Sequence, residues 1–260
     1  MNTKAILFLA ATVISVQTAL AAHTPVHPSR MDEFNKKTGG LVTPPADAAK
    51  LIYLDARSDR TVAFTNNMKA ASRLIDFGYL AKDIVLKEGA CPLEIARGER
   101  KNGAGAVIFF LEHDTLPVLS VYPEEAITVL NVKPLRDKDE TVYRRRLNKE
   151  FWRCVSFTLG GYGGATQGVT VLSPIYSMKH LDDLRTLSLS PAQVNAISAG
   201  KTRLGLFGGN PAPYSRACRE GWAPAPTNEY QKAIWEKVKN KQADASDPTN
   251  RWKRDFPEKK

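Results

Sequence analysis

Any covalent or acid–base chemistry in this chain of 260 residues has to start from three cysteines, four histidines and a few carboxylate clusters. Glu112, His113 and Asp114 directly follow the apolar run 106–111. A histidine flanked by carboxylates at a strand end has the composition of a general base and its orienting group. With Cys154 as nucleophile the set would make a cysteine hydrolase, and with Glu124 or Glu125 as second carboxylate a two-carboxylate hydrolase. Glu150 is the other starting point, alone among cations in Lys149-Glu150-Phe151-Trp152-Arg153. Its plainest role is an ion pair with Arg146 at i−4 or Arg153 at i+3 on a solvated helix face. Cys91, Cys154 and Cys218 lie far apart with no CxxC pair, which excludes a zinc ribbon or finger. They allow at most one disulfide, and each is equally suited to be a small buried apolar residue. The glycines from Gly160 to Gly168 follow a helix instead of opening one, so they predict a helix stop and loop and not a phosphate cradle.

These groups must be positioned by the elements around them. Lys4, the apolar run 5–16 and the small residues of Ala19-Leu20-Ala21 predict a signal peptide over 1–21, cleaved near Ala21 with Ala22 as the alternative. The mature chain is then periplasmic or secreted, without a lipid anchor or a transmembrane segment. Residues 22–45 read as an extended leader, 46–200 as the globular domain, 201–238 as an extension docked on it and 239–260 as a mobile basic tail. A 43% hydrophobic fraction suffices for one substantial core. The formal charge of +10 would keep the chain soluble, and without aromatic–basic interleaving it excludes nucleic acid as a partner.

Strands are expected at 51–54 and 84–86, at 106–111, which is apolar on both faces and therefore central, and at 127–132, placed at an edge. A helix over 66–77 is marked by Met68, Ala71, Leu74 and Ile75, and a helix or turn is expected at 92–100. A long helix carries Tyr143, Leu147, Phe151, Cys154, Val155 and Thr158 on one face, with the arginines and Lys149 mostly on the other. Ser190 and Pro191 open a further helix that stops at Gly200. A short strand at 203–207 and an extended proline-rich stretch holding Cys218 and Trp222 lead to a last helix with Tyr230, Ile234, Trp235 and Val238 on one face, and Trp252 and Phe256 could fasten the tail. The whole is α+β: a small mixed sheet packed on helices, with an irregular C-terminal extension.

The order of central strand, acidic loop, second strand, basic linker, long helix and glycine stop resembles the archaemetzincin-like branch of the metzincin proteases. In that family the helix carries H-E-x-x-H-x-x-G-x-x-H, three histidines for zinc and a glutamate for the attacking water. The matching window here is Lys149-Glu150-Phe151-Trp152-Arg153, continuing to Ser156 and Leu159, and it keeps only the glutamate. Met178 falls near the family's methionine turn. The resemblance implies a degenerate, metzincin-like pseudoprotease with no metal and no cofactor, because Lys149, Arg153 and Leu159 are not zinc ligands. Together with the export signal, it describes an exported, non-catalytic protein binding a peptide or anionic glycan, or acting as an interaction protein, with Lys149, Glu150 and Arg153 at the floor of a cleft. The alternative is an extracytoplasmic hydrolase using Glu112, His113 and Asp114 with Cys154 or a further carboxylate.

Overall fold

A strand that is apolar on both faces needs a helix layer on each side. The computed structural model describes residues 28–58, 60, 62–161, 170–184 and 189–246, and it places such layers there. The expected signal peptide, Gly163, Gly164, Gly168, Trp252 and Phe256 lie outside these residues.

The chain enters through helix α1 (Pro28–Thr38) and the short strand β1 (Leu41–Val42), then forms β2 (Leu51–Asp55), α2 (Thr65–Ile75), β3 (Tyr79–Asp83), α3 (Pro92–Lys101) and β4 (Ala106–Leu111). Strands β5 (Leu119–Tyr122) and β6 (Ile127–Asn131) follow, then the 19-residue helix α4 (Glu140–Thr158), α5 (Met178–Asp183) and α6 (Pro191–Arg203). Strand β7 (Ala212–Pro213), α7 (Tyr214–Glu220) and α8 (Glu229–Ser246) close the described chain. No described helix is long and apolar enough to cross a membrane.

The five-stranded sheet has the order β3-β2-β4-β6-β5. Its first four strands are parallel, and β5 runs antiparallel to β6 at the edge. Along β4, Ala106, Ile108 and Phe110 join the core under α2 and α4, while Val107, Phe109 and Leu111 join the one under α3. The alternation of period two is what makes both cores from one strand. Phe64, Phe110 and Phe151 stack through the first core at centroid distances of 4.3–6.1 Å. The mixed sheet between helix layers is the α+β architecture expected from the sequence, with 106–111 at its centre.

Several local expectations are corrected. The segment 22–45 is not wholly extended: α1 lies against α7 and α8, and β1 pairs with β7. The second strand is Tyr79–Asp83 and not 84–86, because pairing with β2 in register Leu51↔Tyr79 outweighs the apolar signal of Ile84-Val85-Leu86. Strand β6 is internal, since β5 takes the edge. Residues 203–207 contribute a single bridge, Ala49↔Leu206, instead of a strand. The proline-rich stretch contains α7, which Pro213 precedes and Gly221 ends in the left-handed conformation at φ 80°. Ser190 and Gln193 form a reciprocal capping box at the start of α6. The last helix continues to Ser246, into the stretch expected to be a mobile tail. All three cysteines are free, with Cys154 and Cys218 buried and Cys91 exposed.

Candidate functional site

Helix α4 carries the window singled out by sequence, and its polar stripe points inward. Glu150 is 2% exposed and Arg153 7%, so neither lies on a solvated face. Arg153 Nε stands 3.2 Å from Glu150 Oε1. Arg153 Nη1 donates to the carbonyls of Val171 and Ser173, each at 2.8 Å. Lys149 Nζ donates to the carbonyls of Leu181 and Asp182 at 2.6 and 3.0 Å. One turn earlier, Arg146 makes a two-pronged bond to Asp182 at 2.8 and 2.7 Å and pairs with Asp137 at 3.1 Å. Bidentate, charge-assisted bonds of this kind fix geometry. Arg146, Lys149 and Arg153 therefore staple residues 171–182 to the helix; Arg146 and Arg153 are buried, contrary to the expected helical wheel, while Arg144 and Arg145 are exposed as expected.

This arrangement answers whether zinc fits. Lys149 and Arg153 present only donors, already given to main-chain carbonyls, and Leu159 is fully buried in the core. The window does not fit a zinc ion. Among the described residues, no three His, Cys, Asp or Glu side chains gather at metal-binding spacing. Met178 opens α5 behind the Ser177 cap and packs on the core.

Burial pushes the Glu150 carboxyl above the usual carboxylate range, and the attraction of Arg153 only partly offsets it. Glu150 Oε2, Arg153 Nε and Ser156 Oγ are buried without a hydrogen-bond partner of good geometry. A carboxyl whose folded pKa is raised contributes most to stability below its ordinary value, and that contribution is lost as pH rises through the folded value. Glu150→Gln removes this dependence. The urea midpoint of the variant, relative to the native chain, should therefore climb as pH rises from the ordinary carboxylate range upward; a flat difference contradicts the burial of an ionising group.

Of the other sequence candidates, Glu112, His113 and Asp114 follow β4, and Cys154 lies on the buried face of α4. At the C-terminal end of β4, Glu112 accepts from Ser58 Oγ and from Arg136, both at 2.6 Å. Asp114 is paired with Lys133, whose hydrogen bond and charge hold that carboxyl below its usual range. The His113 main-chain N–H donates to Asn131 Oδ1 at 3.0 Å, and its Nδ1 accepts from the Thr115 N–H at 3.2 Å. Cys154 is fully buried, and burial pushes its thiol well up, so it is neither accessible nor activated as a partner for His113. Glu125 is held by Arg97 at 2.6 Å just before β6, at the opposite end of the sheet. The register Val107↔Ile127 sets it opposite position 105, seven residues before Glu112, roughly 20 Å away along the strands. Glycosidase carboxylates stand closer than about 10 Å. Neither hydrolase pairing is assembled.

The fold does build a cleft of about 660 Å³ where the sequence offered no motif. Gly200 lets α6 pack against the end of α4, since a Cβ there would collide with the Leu159 carbonyl. That approach sets Ile197, Ser198 and Lys201 opposite Trp152, the one residue of the sequence window that lines the cleft. The end of α2 supplies Arg73, Leu74 and Ile75, and Asp76 caps that helix at φ 60°. Gly208 keeps the space for the Asp76 carboxylate, into which a Cβ would project.

Charged groups close the back wall. Lys201, 2% exposed, donates to the Asp76 carbonyl at 3.1 Å and lies 3.5 Å from Glu220 Oε1. Arg216 donates to Asp76 Oδ2 at 2.6 Å and to Glu220 Oε1 at 2.9 Å, and Trp222 donates to Glu220 Oε2 at 2.7 Å. Burial pulls the Glu220 carboxyl up, but the bonds from Trp222 and Arg216 outweigh it and hold the group below its usual range. Sequence reasoning missed this set because its members are 125 and 140 residues apart. One signal was present in the sequence: Trp152 lies off the apolar face of α4.

No family model matches the sequence, and none of the curated proteins is similar to it at a significant level. Among solved structures, an archaemetzincin from Methanopyrus kandleri is similar over 61% of this chain and 98% of its own, with 16% identity and a TM-score of 0.46.

Proposed function

We propose that this chain is an exported, non-catalytic protein that binds peptides in the cleft beside Trp152. The observation that carries the reading is the cleft itself, about 660 Å³ with an apolar floor of Trp152, Ile75 and Ile197. Ligand pockets commonly span roughly 300–1,000 Å³ and combine apolar walls with a few polar groups. Leu74 at 75% and Val194 at 51% exposure stand at its lip, where apolar side chains gain by meeting an apolar ligand. Peptide suits this lining better than glycan because apolar side chains dominate it, while Ser198 and Asn210 offer partners to main-chain amides. Export rests on Lys4, the run 5–16 and Ala19-Leu20-Ala21. The staple role of Lys149 and Arg153 and the burial of Cys154 support the absence of catalysis.

The test is a titration of the mature chain with a pool of casein-digest peptides, followed by tryptophan fluorescence and by mass spectrometry of the pool. Saturable binding with no new fragments is expected, and Val194→Glu should weaken it at least about tenfold without moving the melting temperature, as one apolar contact replaced by a charge. New fragments whose formation needs His113 or Glu150 would overturn the proposal, as would undiminished binding by the Val194 variant.

A further inference from the structure

We infer that the cleft recognises the C-terminal carboxylate of a peptide with apolar last residues, seated at Arg216 and Arg73 with its side chains on Trp152 and Ile197. This inference rests on the binding reading above and specifies its ligand. Three cations, Arg73, Lys201 and Arg216, line the cleft against two acids, Asp76 and Glu220, leaving one positive charge unbalanced. Arg216 uses Nε and Nη2 on Glu220 and Asp76, and among the described residues Nη1 has no partner. Arg73, exposed at the end of α2, has no ion-pair partner among the described residues.

A carboxylate carries one negative charge and pairs with guanidinium groups in a fork geometry. A phosphate dianion would meet Asp76 and Glu220 at the same wall with too few cations to offset their repulsion. The apolar floor beside this anchor asks for an apolar body next to the carboxylate, and Ser198 and Asn210 can pair the peptide groups between. A free fatty acid shares the carboxylate and the apolar body but lacks those peptide groups. A peptide end is the ligand that uses the whole lining.

Calorimetry of the mature chain with acetyl-Ala-Leu-Leu as free acid, the same peptide as its C-terminal amide, and decanoate tests the inference. The free acid is expected to bind, the amide to bind at least about tenfold more weakly, and decanoate to bind more weakly than the free acid. Arg216→Gln should erase the difference between acid and amide. Arg73→Gln, at an exposed position that leaves the fold untouched, should reduce it. Equal affinity for acid and amide would overturn the carboxylate seat while leaving peptide binding in place. Tighter binding of decanoate than of the peptide would overturn the peptide assignment. Failure of all three to bind, together with failure of the casein pool, would overturn the binding reading itself and this inference with it.

Discussion

Arg153→Ala should destabilise the chain by about 3–5 kcal/mol, the usual cost of leaving one partner of a buried ion pair alone. The side chains of Arg153 and Glu150 are 8% and 3% exposed, so the carboxyl left without Arg153 must either stay charged without hydration or take up a proton, and both cost stability. The same substitution strips the Val171 and Ser173 carbonyls of their donor. Two observables separate these effects. Urea unfolding reports the loss of stability, and adding Glu150→Gln to Arg153→Ala should recover a large part of it, because a neutral amide costs less to bury than an unpaired charge. Hydrogen exchange at residues 171–173 reports the lost staple and should stay fast in both variants. A change below about 1 kcal/mol, the range of surface pairs, would mean that the pair is solvated.

Arg57→Ala should cost a similar amount, about 3–5 kcal/mol, by a different route. Arg57 follows the end of β2, donating to Asp55 through Nε at 3.0 Å and Nη2 at 2.6 Å and to the Val62 carbonyl at 3.0 Å. Its guanidinium also lies 4.4 Å from the centre of the Phe64 ring. Tyr53 completes the cluster with a 2.9 Å bond to Asp55 Oδ2. Burial raises the Asp55 carboxyl, but the hydrogen bonds from Arg57 outweigh it, and the net shift is downward. A lowered carboxyl pKa contributes stability above its ordinary value and loses it as pH falls through the folded value. Without Arg57, burial prevails and Asp55 takes up a proton more readily. The gap between native and variant stability should therefore be widest near neutrality and narrow in acid, as urea midpoints across buffers would reveal. A gap that widens in acid would contradict the assignment of Asp55 as the charged partner.

The parts of the fold that were legible in the sequence are those fixed by local signals. The two-sided apolar run 106–111 identified the central strand, and the period of Met68 and Ala71 and the Ser190-Pro191 start identified α2 and α6. Register was not legible: Ile84-Val85-Leu86 is the more apolar stretch, yet Tyr79–Asp83 has the backbone opposite β2. The ends of the chain were misread because pairing between β1 and β7 and packing of α1 on α8 are long-range. For the same reason Glu150 looked solvated. A helical wheel shows which residues share a stripe but not that residues 171–182 return to cover it. The cleft illustrates the limit most clearly, since Asp76, Lys201, Arg216 and Glu220 meet only through tertiary packing. Each of them alone reads as an ordinary surface charge.

Ligand binding belongs, on the proposal above, to the cleft at Trp152, while the polar stripe of α4 is structural. Peptide affinity measured side by side in Leu74→Glu and Glu150→Gln tests this division most directly, because the first residue stands at the lip of the cleft and the second is buried outside it. Leu74→Glu should weaken binding of acetyl-Ala-Leu-Leu at least about tenfold with an unchanged melting temperature, while Glu150→Gln should bind as the native chain does. Native affinity in Leu74→Glu, with binding lost in Glu150→Gln, would contradict this division.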